Sequence, residues 1–229
     1  MEKENKIVKF CGVRFRKGLY FCGQTQPSHM GFIFAEKSKR YINPEKLIVD
    51  LMPCSNLLRD IKKVGVFVNA DISFIIKTTA LLNLNVIQLH GDEDNEYIKT
   101  LEDSFSNRLF IKPEIWKAMK VNEANMMLID LTCADRILLD GANPGSGEKA
   151  DWEIIKKNRP SKPFILAGGL DIHNIKDAIN ELDPDGVDLA TGIETEGFKD
   201  LEKMEQIIKI VKGCGWTFSN ADTEADELY

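Results

Sequence analysis

Eight short runs rich in β-branched and aromatic residues recur along the chain, and most are followed by a segment with helical spacing. They are IVKFC (7–11), MGFIF (30–34), VGVFV (64–68), VIQL (86–89), IWKAM (115–119), RILLD (136–140), PFILA (163–167) and GVDLA (186–190). Each is apolar on both faces, as a parallel strand is when helices cover it. Helical spacing runs over 44–62, with a break expected at Pro53, and over 71–83, 93–105, 151–158, 171–182 and 200–212. Eight strands in this order predict an α/β fold, a single (β/α)8 TIM barrel over residues 1–212. An open doubly wound sheet is the alternative. Residues 213–229 are small, polar and acidic without a period, which predicts a flexible C-terminal tail from which Trp216 and Phe218 pack back on the barrel.

One stretch breaks the pattern. Between the first two strands lies VRFRKGLYFCGQTQPSH, with Gly18, Gly23 and Pro27 where a helix is due. Two glycines inside a helix cost about 1 kcal/mol each, and a proline favours a stop. The expectation is an irregular first helix region, a short broken helix or none, beside Cys11.

A net charge of −6 and a pI near 5.3 point away from nucleic acid and from a polybasic membrane face. No apolar run approaches the roughly 18 residues of a membrane span. The five cysteines are scattered and odd in number, without a CxxC, which argues against a disulfide framework and a zinc site. With a charged start that does not read as a signal peptide, the expected compartment is the cytoplasm.

In such a barrel, chemistry collects where strands end and βα loops begin. Gly168-Gly169 and Thr191-Gly192 follow strands seven and eight, where glycine lets backbone N–H groups approach a phosphate. The PGSG segment at 144–147 is a further candidate for closing over a ligand. Cys11 and Asp140 end strands one and six, and are expected to face each other across the barrel mouth. A thiolate is a competent base if its pKa falls towards neutrality, and a carboxyl shielded from water can donate a proton. An acid and a base on opposite sides of a bound molecule suit an isomerisation. Taken singly, Cys11 reads equally well as a small buried hydrophobe and Asp140 as a loop-bracing carboxylate. Gln88 and His90, two apart on strand four, share a face; a structural hydrogen-bond role and substrate contact stand level. His29 and His173 read as loop and helix-surface residues. Arg40, in the basic loop after strand two, is placed to reach a carboxylate.

The segments VKFCG, MGFIFAEKSKRYI, KVGVFVNA, VIQLHGDE, IWKAMKV, LLDGANPGSGEKADW, LAGGL and GVDLATGIETEGFKD resemble, in order, the motifs of the phosphoribosylanthranilate isomerase family of tryptophan biosynthesis. The resemblance implies that Cys11 is the general base and Asp140 the general acid of an Amadori rearrangement. It also implies that Arg40 holds the anthranilate moiety, that Gly168, Gly169, Thr191 and Gly192 bind phosphate, and that Asp188 lies near the sugar hydroxyls. No metal or organic cofactor is implied; the partner is a small phosphorylated substrate, and the enzyme a monomer or homodimer. Two departures stand out: the 13–30 segment, and Ala190 where the family often carries a hydroxyl. The first keeps open a degenerate barrel that binds phosphosugars without catalysis. An isomerase of another phosphorylated aminosugar is the remaining alternative.

Overall fold

Strand β1 (Ile7–Cys11) pairs in parallel with both β2 (His29–Ile33) and β8 (Gly186–Leu189), and that double pairing closes the sheet. In the computed structural model, which describes residues 6–106, 112–141 and 150–218, the ring runs in sequence order. It passes through β3 (Lys62–Phe67), β4 (Val86–Leu89), β5 (Glu114–Lys120), β6 (Arg136–Asp140) and β7 (Phe164–Leu166). The expected strands are therefore all present, displaced by at most two residues at their ends.

Helices follow each strand: α1 (Arg16–Thr25), α2 (Pro44–Leu51), α3 (Ile72–Leu82), α4 (Asn95–Ser106), α5 (Glu123–Leu128), α6 (Trp152–Lys157), α7 (Ile175–Leu182) and α8 (Leu201–Gly213). A two-stranded ribbon, β9 (Glu194–Thr195) with β10 (Phe198–Lys199), lies in the loop before α8. The break expected at Pro53 is real: α2 ends at Leu51 and Met52–Cys54 form a 3-10 turn. Helix α5 had no counterpart in the sequence reading, because Met127 and Leu128 are exposed and spoil its apolar face.

Strand pleat divides the core in two. Ile7, Val64, Val86, Trp116, Leu138 and Ile165 point inward and fill the barrel, while Val8 and Phe10 point outward into the layer beneath the helices. His29, expected in a loop, sits instead on β2, buried against Trp116, and burial pushes its pKa well down. At the other end of the chain, Trp216 and Phe218 are buried and the Lys6 amide donates to the Thr217 carbonyl at 3.0 Å.

The irregular first helix is corrected by the structure. Helix α1 is continuous over ten residues, closed by Gln26 in the left-handed region (φ 49°) with its amide on the Cys22 carbonyl. Its start is weak, since Phe15 supplies no side-chain cap. Both glycines lie on its buried face: a Cβ on Gly23 would stand 2.2 Å from Leu57 Cγ, and one on Gly18 3.3 Å from Val13 Cγ1. Their missing side chains let the helix seat closely, and tertiary packing overrides propensity. Gly23→Ala should therefore destabilise the protein by up to about 2 kcal/mol, overpacking outweighing the helix-propensity gain. Urea unfolding measures the sign; a stabilised variant would show that the glycine is not there for close packing.

Candidate active site

Alternation along β1 turns Lys9 and Cys11 to the same side as Ile7, towards the barrel axis. The register opposes Lys9 to Asp188 of β8, and the Lys9 Nζ donates to both carboxylate oxygens at 2.9 Å. The lysine is fully buried. Burial works against its charge, but Asp188 and Cys11 outweigh that and hold its pKa above the ordinary value.

Cys11 sits one layer higher, at the strand end, with 6% of its surface exposed. Gly31 of β2 makes room for it: a Cβ there would come within 2.9 Å of the Cys11 Sγ. Burial pushes the thiol up from 9.0, opposed by the positive charges of Lys9 and Lys199. Desolvation outweighs the nearby ammonium groups, so the thiol does not meet the condition of a fall towards neutrality.

Gly12 follows with φ 76°, and the Arg40 side chain crosses it so closely that a Cβ would stand 2.4 Å from Arg40 Cδ. Arg40 then donates to Glu194 Oε1 through Nε (2.8 Å) and to Oε2 through Nη2 (2.6 Å), with a further bond to Thr191 Oγ1 (3.1 Å). The Glu194 hydrogen bonds raise the Arg40 pKa. Glu194 also accepts from Lys199 Nζ at 2.8 Å. Burial alone would raise the Glu194 carboxyl, but these two cations bring it below its ordinary value.

On the far side, Asp140 ends β6, three places from β1 round the ring through β7 and β8. Its Oδ1 accepts from the Gly141 amide at 2.8 Å and its Oδ2 lies 3.3 Å from His90 Nε2. His90 Nδ1 in turn meets the Gln88 amide at 2.9 Å. Asp140 and His90 line a cavity of about 270 Å³ together with Lys117 and Lys120. Beneath it, Lys117 is paired with Glu93 at 2.8 Å, and Glu93 braces the Asn69 and Gly91 amides.

The two glycine turns meet. Gly168 and Gly169 have φ of 81° and 63°. Gly192, in the 3-10 turn Thr191–Ile193, lies so close beneath the next loop that a Cβ would stand 1.9 Å from the Leu170 carbonyl oxygen. Residues 144–147 lie outside the described residues.

Cys11, Arg40, Gln88, His90, Asp140, Asp188 and the four turn residues thus all sit at or just below one rim. Asp188 lies lowest, paired with Lys9. The sequence reading missed Lys9, Glu194, Lys199 and the Lys117–Glu93 pair. Lys9 carried a signal, a lysine two residues before Cys11 within an apolar strand; Glu194 and Lys199 lay in an unremarkable polar loop. Among the described residues no His/Cys/Asp/Glu group is arranged to hold a metal, and no helix is long and apolar enough to cross a membrane.

The sequence model of N-(5'-phosphoribosyl)anthranilate (PRA) isomerase matches residues 8–210. A relative from a Thermoanaerobacter species, an N-(5'-phosphoribosyl)anthranilate isomerase, is 36% identical over 217 residues, covering 90% of this chain and 98% of its own. A dimeric phosphoribosylanthranilate isomerase from Thermotoga maritima, solved as monomers, superposes with a TM-score of 0.75 at 32% identity, over 91% of this chain and 99% of that one. A phosphoribosylanthranilate isomerase solved with reduced 1-(o-carboxyphenylamino)-1-deoxyribulose 5-phosphate superposes with a TM-score of 0.73 at 31% identity, with the same coverage.

Two stability predictions follow from this geometry. Lys9→Met should cost about 3–5 kcal/mol by stranding a buried carboxylate, and Asp188→Leu added to it should recover most of that loss. A double-mutant cycle in denaturant tests this, and simple additivity would refute it. Gly192→Ala should be destabilising while Gly213→Ala, with nothing within 4 Å of its Cβ, should be neutral or gain up to about 1 kcal/mol. Melting temperatures of the two variants decide.

Proposed function

The chain belongs to the N-(5'-phosphoribosyl)anthranilate isomerase family, and on that premise we propose that Cys11 and Asp140 are its base and acid. The reaction is the isomerisation of phosphoribosylanthranilate to 1-(o-carboxyphenylamino)-1-deoxyribulose 5-phosphate in tryptophan biosynthesis. The observation that carries the assignment is a thiol and a carboxyl at the ends of β1 and β6 of one barrel, with Arg40 and the paired glycine turns on the same rim.

Asp140 gives its proton to the ribose ring oxygen, and the C1′–O bond breaks to leave an iminium. Cys11 thiolate removes the C2′ proton, and the resulting enolamine tautomerises to the ketone. Arg40 faces the anthranilate carboxylate. Its Nε and Nη2 are taken by Glu194 and Thr191, so it offers Nη1. Gly168, Gly169, Thr191 and Gly192 bind the phosphate. His90 lines the substrate side of the cavity with Gln88 supporting its ring from behind, and Asp188 lies nearest the sugar hydroxyls. No cofactor takes part. The enzyme works in the cytoplasm as a monomer or homodimer.

A thiol ordinarily holds its proton more tightly than a carboxyl, and burial pushes Cys11 further the same way. The working base is therefore the minority thiolate form of Cys11.

The reading of a barrel that binds without catalysis drew its support from the 13–30 segment, and that segment forms a regular α1. The deciding experiment is the loss of phosphoribosylanthranilate fluorescence under wild type, Cys11→Ser and Asp140→Asn. Rapid turnover by wild type and a fall of at least about 10²-fold in both variants are expected. Folded wild type without turnover would reject the assignment. Alkylation of Cys11 by iodoacetamide should be slow at pH 7 and accelerate towards and above 9.0, since only the thiolate reacts. Exposed Cys133, followed by peptide mapping, is the internal control.

A further inference from the structure

Each turnover leaves the proton on the wrong partner. Cys11 ends the cycle as a thiol and Asp140 as a carboxylate, so a proton has to be returned to Asp140 before the next substrate reacts. Asp140 reaches the cavity with little of its surface: 10% of its side chain is exposed, and Oδ1 is committed to the Gly141 amide. Its other oxygen lies 3.3 Å from His90 Nε2, the one titratable side chain within ion-pair distance of it among the described residues. His90 is more open, 19% exposed, and lines the cavity. The other charged side chains on that wall are Asp92, Glu93, Lys117 and Lys120, of which Lys117 and Glu93 are bound to each other and Asp92 to Asn69.

Behind His90 stands an anomaly. Gln88 is 1% exposed, and with its amide nitrogen on His90 Nδ1 its Oε1 is buried without a partner. An unmet buried acceptor costs about 1–3 kcal/mol. The amide reads equally well rotated by 180°, since its two ends differ only in which atom is nitrogen. Rotated, Oε1 accepts from a protonated Nδ1, and a protonated Nε2 then points at Asp140. Rotation exchanges which end of the amide meets the ring, so the glutamine can follow the charge of the ring.

We propose that His90 reloads Asp140 in every turnover and that Gln88 orients the ring for that transfer. This rests on the assignment of Asp140 as the acid. The doubly protonated ring gives its Nε2 proton to Asp140 Oδ2; the N–H bond breaks, an O–H bond forms, and the neutral ring keeps its Nδ1 proton on Gln88 Oε1. Water in the cavity then restores the Nε2 proton, and Cys11 releases to water the proton it took from C2′, so the cycle closes with no net gain. His90 is a positioning and relay residue that acts through Asp140.

The test is chemical rescue. His90→Ala should lower kcat by about 10²-fold with little change in KM, and added imidazole should restore it, more strongly at pH 6 than at pH 8 because the protonated form is the donor. Gln88→Met, which keeps the side-chain volume, should lower kcat without responding to imidazole. In Asp140→Asn imidazole should restore nothing. Full activity in His90→Ala, or a loss carried by KM and untouched by imidazole, would overturn the proposal. Continued turnover by Asp140→Asn would instead show that the acid itself is misassigned.

Discussion

Inside the barrel, where the first and last strands meet, a fully buried ammonium faces a nearly buried carboxylate. Lys9 and Asp188 are opposed by the β1–β8 register. Placing either charge there alone is heavily disfavoured, so the two elements carrying them have to close together and in that register. A slip by one residue would turn Lys9 outward, into the apolar layer with Val8 and Phe10. The pair therefore specifies closure rather than merely accompanying it. It also fixes what lies above: Cys11 stands two residues beyond Lys9, and its thiol is held in the field of that lysine.

A second set of charges does for the loops what this pair does for the strands. Arg40 comes from the β2 loop and Glu194 and Lys199 from the ribbon after β8, and all three converge above Gly12. The rim on the Cys11 side is a charged clamp, and the rim on the Asp140 side is an open, polar-lined hollow. A substrate lying between them meets a fixed cation at one side and a group with access to protons at the other. That asymmetry suits a reaction in which a proton is delivered at one carbon's neighbour and removed at the next.

The barrel was legible because the strands are written as short, mostly apolar runs, eight of them in order and most followed by a helical pattern, as parallel strands covered on both faces are. The rim residues were legible for a related reason: strand ends can be located, and polar residues there stand out. What remained hidden depends on contact across the chain. Gly18 and Gly23 look like breakers until Val13 and Leu57 are seen pressing against them. Helix α5 is too short, and too apolar on its exposed side, to show a period. Glu194 looks like one acid in an acidic loop until Arg40 arrives from 154 positions away. Lys9 was visible but lacked a partner to explain it.

The bond between Lys6 and Thr217 ties both sides of the described chain together at the base of the barrel, where β1 begins. Trp216 and Phe218 seat the far segment there. Every group argued to act on substrate is at the opposite face. The architecture thus separates attachment from chemistry: a peptide bridging residues 6 and 217 would need to span almost no distance, and whatever was joined at that end would leave the rim unobstructed.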